Sequence, residues 1–180
     1  MNPTDKEREH ARYKDQLPPA IIVDLDGTLS DMRGIRGPFE WDKVGRDRPH
    51  ADIIELVQMY NSNNFKIIVC SGRDAVCKAD TLEWLVDFEV PFDKLFMRPE
   101  GSTERDAKIK STTQGGPTLQ YPSPTRKRKL RDAKLKYHIY LDHIKPKYDV
   151  RLAIDDRQQV VDMWREYAGL RCLQVAPGNF

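Results

Sequence analysis

The chain has 180 residues, 39% of them hydrophobic, a length that suits one domain with a sizeable core. Charged residues make up 32%, yet they sum to a formal +2, so net charge alone singles out neither a nucleic-acid partner nor a membrane surface. Three cysteines without a Cys-x-x-Cys pair argue against a disulfide framework or structural zinc, and no apolar run reaches the roughly 18 residues of a membrane span.

In chain order, the polar stretch 1–17 stops at Pro18-Pro19, which disfavour a continuing helix, and it lacks the apolar core of a signal peptide. A tail is expected there, on a soluble, cytoplasmic protein. From residue 18 to 180 a single domain is expected. "AIIVDLD", "KIIVCSG", "KLFMR", "YDVRLAIDD" and "LRCLQVA" read as strands, alternating with helical patterns at "ADIIELVQMYN", "TLEWLVDF", 130–144 and "QQVVDMWREYA". That alternation predicts an α/β fold, a Rossmann-like parallel sheet with helices on both faces. Residues 30–49 hold three glycines and two prolines among charges and aromatics, and read as a small flap over the end of the first strand. Residues 99–129, rich in Gly, Pro, Ser and Thr and flanked by basic residues, read as a mobile basic insertion.

Ligands of such sheets collect outside the carboxyl ends of the strands, so the strand ends carry the functional argument. The first strand ends on Asp24 and Asp26, two carboxylates with i, i+2 spacing, followed by Gly27. Alone, Asp-x-Asp-Gly is equally a solvated turn; a calcium loop fits badly because Thr28 and Leu29 stand where its third acid and its glycine belong. The second strand ends on Ser71-Gly72-Arg73, a hydroxyl and a guanidinium suited to phosphate oxygens. "RLAIDDR" ends on Asp155-Asp156, where one aspartate could equally cap the next helix. The three ends together place acids, a hydroxyl and cations around one crevice.

With "DLDGT", "CSGR" and "IDDR" in this order, the sequence resembles the haloacid dehalogenase-like phosphohydrolases. "RGPFEWDK", "VCSGR", "FMRPEGST" and the run from Tyr148 to Phe180 make it similar, more narrowly, to the 3′-phosphatase domain of phage-type polynucleotide kinase/phosphatases. The resemblance implies Asp24 as a nucleophile forming an aspartyl-phosphate, and Asp26 as general acid and then base. It further implies Mg2+ held by Asp24, the Asp26 carbonyl and a carboxylate of Asp155 or Asp156, with Ser71 on the phosphoryl group and Arg73 on phosphate or the adjoining strand. Arg36 and Arg98 are carried over as substrate contacts. The lysine that offsets transition-state charge falls on Lys136 or Lys110, which close the two near-repeats "RDAKLK" and "RDAKIK"; Lys136 is favoured because it leads into regular structure.

Between 126 and 136 seven of eleven residues are basic, and Arg126, Lys127, Arg128 and Lys129 are expected to neutralise backbone phosphates. Phe39, Trp41 and Tyr121 are candidates for stacking on bases. No Gly-x-x-x-x-Gly-Lys-Ser/Thr loop occurs in the 180 residues, so a phosphatase without the kinase is expected, natural or excised. The expected substrate is a nucleic-acid 3′ end, DNA or RNA, with no membrane partner. A kinase or ligase partner on a separate chain and a homo-oligomer are both compatible with the sequence, as is residence in a host cytoplasm if the chain is phage-encoded. A nucleoside monophosphate phosphatase of the same fold and a non-catalytic nucleic-acid binding module are the competing readings.

Overall fold

Period-two alternation along Pro19–Val23, strand β1, divides its side chains between two apolar layers. Ile21 and Val23 join Ile67, Val69 and Ile154 in one layer, whereas Ala20 and Ile22 join Ile68, Cys70 and Ala153 in the other. A strand buried on both faces belongs at the centre of a parallel sheet covered by helices.

The computed structural model describes residues 16–100 and 132–178. After β1 come the short strands β2 (Ser30–Asp31) and β3 (Arg48–Pro49), then β4 (Lys66–Asp74), β5 (Lys94–Arg98), β6 (Asp149–Arg157) and β7 (Cys172–Gly178). Five of them form one sheet in the order β5-β4-β1-β6-β7, with every pairing parallel. Helices α1 (Ala51–Ser62) and α2 (Lys78–Asp87) cover the first layer with Ile54, Val57, Trp84 and Leu85. Helices α3 (Asp132–Ile139) and α4 (Gln158–Asp162) cover the second, and each runs on into a π-helical turn, Tyr140–Ile144 and Met163–Tyr167. The alternation of strand and helix patterns therefore translates into the α/β sheet expected of it.

Local chemistry sets the element ends. Asp52 in the first turn of α1 complements the helix dipole. The helix stops where the Asn63 side chain donates to the Met59 carbonyl at 2.8 Å and Asn64 turns to φ 63°, a conformation asparagine tolerates.

Several boundaries differ from the sequence reading. Strand β4 continues to Asp74, pairing there with Arg98, so Ser71-Gly72-Arg73 lies inside a strand across a register shift. Strand β7 sits two residues later than read, and α3 gives way to a wider turn at Tyr140. Within 30–49, β2 and β3 pair antiparallel, Ser30 with Pro49 and Asp31 with Arg48, around a 3-10 turn at Trp41–Arg46. Most of the tail and of the basic insertion lie outside the described residues. No helix among the described residues is long and apolar enough to cross a membrane.

Candidate active site

The carboxyl ends of β1, β4 and β6 meet, as the crevice of a parallel sheet requires. The backbone N–H of Asp24 donates to the Ile154 carbonyl at 2.9 Å, which fixes the residue beside Asp155. Lys136, fully buried on α3, places its ammonium 2.7 Å from Asp24 Oδ1, 2.9 Å from Asp155 Oδ2 and 3.3 Å from Asp132 Oδ2. Asp132 lies one helical turn before Lys136, so α3 delivers both groups on one face.

This cluster is short of positive charge. Asp24, Asp132, Asp155 and Asp156 are all buried, against Lys136 and the Arg157 guanidinium 3.7 Å from Asp132. Burial raises the Asp24 carboxyl well above its ordinary range; Lys136 opposes this, while Asp155, Asp132 and Asp156 add to it. Burial and Asp155 push Asp156 up to about 6. Burial alone would lower Lys136, but Asp132, Asp155 and Asp24 outweigh it, so the ammonium stays charged. Carboxylate oxygens of Asp24, Asp155 and Asp156 all lie within 4.8 Å of one another, and among the described residues the buried Asp156 Oδ1 has no hydrogen-bond partner. An all-oxygen, electron-rich set with an unpartnered oxygen suits a hard divalent cation.

Two glycines permit this crowding. A Cβ on Gly27, itself at φ 87°, would stand 2.3 Å from Asp156 Oδ2, and a Cβ on Gly72 would stand 2.3 Å from Asp132 Oδ1. The turn through Gly27 is tied down by three backbone N–H groups, of Thr28, Leu29 and Ser30, on the Leu25 carbonyl. His50 braces it, with Nδ1 2.8 Å from the Thr28 carbonyl oxygen.

Asp26, beyond the turn's start, belongs to a second charge network. Arg36 Nη2 and Arg73 Nη2 both donate to its Oδ1 at 2.7 Å, and Arg73 Nε adds bonds of 3.0 and 3.1 Å to Oδ1 and Oδ2. Both guanidiniums also bind Asp47, which is 1% exposed: Arg36 through Nε at 2.8 Å and Nη2 at 2.7 Å, Arg73 through Nη2 at 2.6 Å. Burial opposes ionisation of Asp26, but Arg73 and Arg36 together hold its carboxyl below the ordinary range. Asp26, Gly27 and Asp156 line a cleft of about 310 Å³ that runs past Met32, Ile53 and Pro177.

A family model for the polynucleotide kinase PNKP phosphatase domain matches residues 18–115 and 114–180. The chain belongs to this family. A protein of Autographa californica nuclear polyhedrosis virus, whose name describes a bifunctional polynucleotide kinase/RNA ligase, is 29% identical over 155 residues, 84% of this chain and 18% of that protein. Among solved structures, a Pnkp1/Rnl/Hen1 complex matches at 31% identity and a TM-score of 0.74, over 92% of this chain and 48% of its own. A structure of the Pnkp1/Rnl/Hen1 RNA repair complex matches at 30% and 0.71, over 91% and 44%. This phosphatase domain thus spans less than half the length of these relatives. A HAD-like phosphatase of Mesorhizobium loti, 15% identical with a TM-score of 0.53, shares the fold.

Of the residues singled out from sequence, this phosphatase domain brings Asp24, Asp26, Ser71, Lys136, Asp155 and Asp156 to one end of the sheet. Ser71 is fully buried, its Oγ accepting the Arg73 backbone N–H at 3.1 Å. Arg36 and Arg73, expected on substrate, have side chains at 0% exposure, because both are drawn inward by Asp26 and Asp47. Arg98, also buried, donates from Nε to the Gly72 carbonyl at 3.2 Å. Lys110, Tyr121 and Arg126, Lys127, Arg128 and Lys129 lie outside the described residues. Sequence reasoning missed Asp47 and Asp132. The helical spacing of Asp132 to Lys136 was a signal for the second; nothing in "GRDRP" marked the first.

Proposed function

We propose that this phosphatase domain removes 3′-phosphates from polynucleotide ends in nucleic-acid repair. The observation that carries the reading is the buried Asp24 carboxylate 2.7 Å from the Lys136 ammonium, with Asp26 two residues on at the cleft. The Asp24 carboxylate attacks phosphorus as the bond to the 3′ oxygen breaks, and the fraction of Asp26 that carries a proton, small because Arg73 and Arg36 favour the carboxylate, gives it to the departing oxygen. Water then attacks the aspartyl-phosphate; Asp26 takes its proton, the P–O bond to Asp24 breaks, and phosphate leaves. Lys136 offsets charge gathering on the phosphoryl oxygens, and Ser71 contributes a hydroxyl donor. Mg2+ fits the set Asp24, Asp155 and Asp156, and of the last two Asp156 has the oxygen to offer, since Asp155 Oδ2 receives Lys136 and its Oδ1 the Arg157 N–H at 3.2 Å. When bound, the ion supplies positive charge that lets carboxylates and phosphate approach one another.

Polynucleotide substrate and end repair are inferred from the family and from relatives named for kinase, RNA ligase and RNA repair complexes. By the same inference this domain works beside kinase and ligase activities. One observation favours a smaller substrate: at about 310 Å³ the cleft suits a single nucleoside. Phosphate release from matched DNA and RNA oligonucleotides with 3′- or 5′-phosphates, beside 3′- and 5′-mononucleotides, decides between the two. Preference for 3′-phosphorylated oligonucleotides is expected; equal or faster turnover of mononucleotides would make this a nucleotidase.

A further inference from the structure

The Asp26 carboxylate is held asymmetrically. Its Oδ1 receives Arg36 Nη2 and Arg73 Nη2 at 2.7 Å, Arg73 Nε at 3.0 Å and, more distantly, Ser30 Oγ at 3.4 Å; among the described residues its Oδ2 receives only Arg73 Nε, at 3.1 Å. One oxygen is saturated and the other retains lone-pair capacity at the cleft. Two guanidiniums on one carboxylate would repel each other and leave a buried positive charge uncompensated. Asp47 supplies the missing negative charge, binding through its Oδ2 the same Nη2 nitrogens of Arg36 and Arg73 that bind Asp26, and completes a neutral ring of two acids and two bases.

Asp47 is in turn anchored to the core. Its backbone carbonyl accepts the Trp84 indole N–H at 2.8 Å, and Trp84 is 1% exposed within the layer beneath the sheet. Arg73 is further fixed by bonds to Thr81 Oγ1 at 3.2 Å and Ser30 Oγ at 3.1 Å. A rigid chain of contacts runs from α2 through Asp47 and the arginines to Asp26.

We infer that Asp47 is a positioning residue for proton transfer: by bridging Arg36 and Arg73 it keeps Asp26 Oδ1 occupied and presents Asp26 Oδ2 as the atom that exchanges a proton with the leaving oxygen. This rests on the reading of Asp26 as acid and base. It also assigns Arg36 and Arg73 to holding Asp26 and not to gripping substrate.

A group that acts through proton donation matters in proportion to how badly the leaving group needs a proton. A nucleoside 3′ oxygen departs as a basic alkoxide and needs one, whereas p-nitrophenolate is a much better leaving group. The test measures kcat and KM of wild type, Asp47→Asn and Trp84→Phe on a 3′-phosphorylated oligonucleotide and on p-nitrophenyl phosphate. Asp47→Asn is expected to lower kcat/KM on the oligonucleotide by roughly 10²-fold, within the range general acid catalysis supplies, and to leave kcat/KM for p-nitrophenyl phosphate within a few-fold of wild type, because kcat/KM ends at departure of the leaving group and excludes the aspartyl-phosphate hydrolysis that both substrates share. Trp84→Phe should give the same split at smaller size. A misfolded fraction lowers both rates in proportion, so loss of both alike, or of neither, in the two variants overturns the proposal. Asp26→Asn on the same substrates checks the underlying reading separately. If Asp26→Asn shows no split, the acid assignment falls; if it shows one and Asp47→Asn does not, only the role of Asp47 falls.

Discussion

Among the described residues Lys136 is the single ammonium that three carboxylates share, and removing it leaves Asp24 and Asp155 buried without that partner. Breaking a buried pair from one side costs about 3–5 kcal/mol, so Lys136→Met should lower the melting temperature sharply and abolish turnover. Adding Asp155→Asn to that variant should restore part of the melting temperature and none of the activity, and thermal melts beside phosphate release check both. Lys110→Ala should be mild by comparison; a larger loss there than in Lys136→Ala would move the charge-offsetting role to Lys110. Asp24→Asn should abolish turnover with the fold retained, and survival of wild-type rates would end its assignment as nucleophile. At this scale the sequence was readable wherever a functional residue directly followed the apolar run of a strand, as Asp24, Ser71 and Asp155 do. It was unreadable for Asp47, because its partners Arg36 and Arg73 lie 11 and 26 positions away and meet it only after the flap and β4 are in place.

The flap illustrates what element-level patterning shows and what it leaves out. Glycine and proline density marked 30–49 as irregular, but the short β2–β3 pairing depends on side chains that pattern does not register. Asp31 on β2 accepts Arg33 Nε at 2.8 Å and Arg48 Nη2 from β3 at 3.1 Å. Hydrogen bonding from Arg33, with Arg48 adding, holds the Asp31 carboxyl well below its ordinary range despite some burial. A depressed folded pKa stabilises fully above the unfolded value of about 3.9 and loses that contribution as pH falls through the folded value. The flap should therefore keep this tie at neutral pH and lose it in strong acid, sooner in high salt because both arginines are exposed. Hydrogen exchange of the Ser30–Asp31 and Arg48 amides between pH 5 and 2, compared with Asp31→Asn, measures it. The difference between wild type and variant should shrink toward the acid end; a constant difference would show that Asp31 is not the tie.

For the molecule as a whole, charge is distributed unevenly between a buried acidic centre and a basic segment at 126–136. The centre should make metal-free protein less stable than metal-loaded protein, since a ligand that binds only the native state adds stability by mass action. Magnesium should raise the melting temperature of wild type and leave Asp156→Asn unmoved, and an equal rise in both would remove Asp156 from the ligand set. The basic segment should act on substrate capture. Neutralising Arg126, Lys127, Arg128 and Lys129 should weaken oligonucleotide binding and reduce its salt slope by roughly 3, at about 0.7 per phosphate contact for single strands, without changing turnover of p-nitrophenyl phosphate. An unchanged slope would dissociate this segment from nucleic acid.

The strand order β5-β4-β1-β6-β7 also has a consequence in time. As synthesis proceeds, β1 gains a partner on one edge once β4 is made, at residue 74, but its other edge stays bare until β6 is complete at residue 157. Lys136, which binds Asp24, and Asp155, which shares that ammonium, arrive in the same late interval. A nascent chain thus carries Asp24, the proposed nucleophile, early and Lys136 late, so the domain should be catalytically silent until its last third has been made and docked.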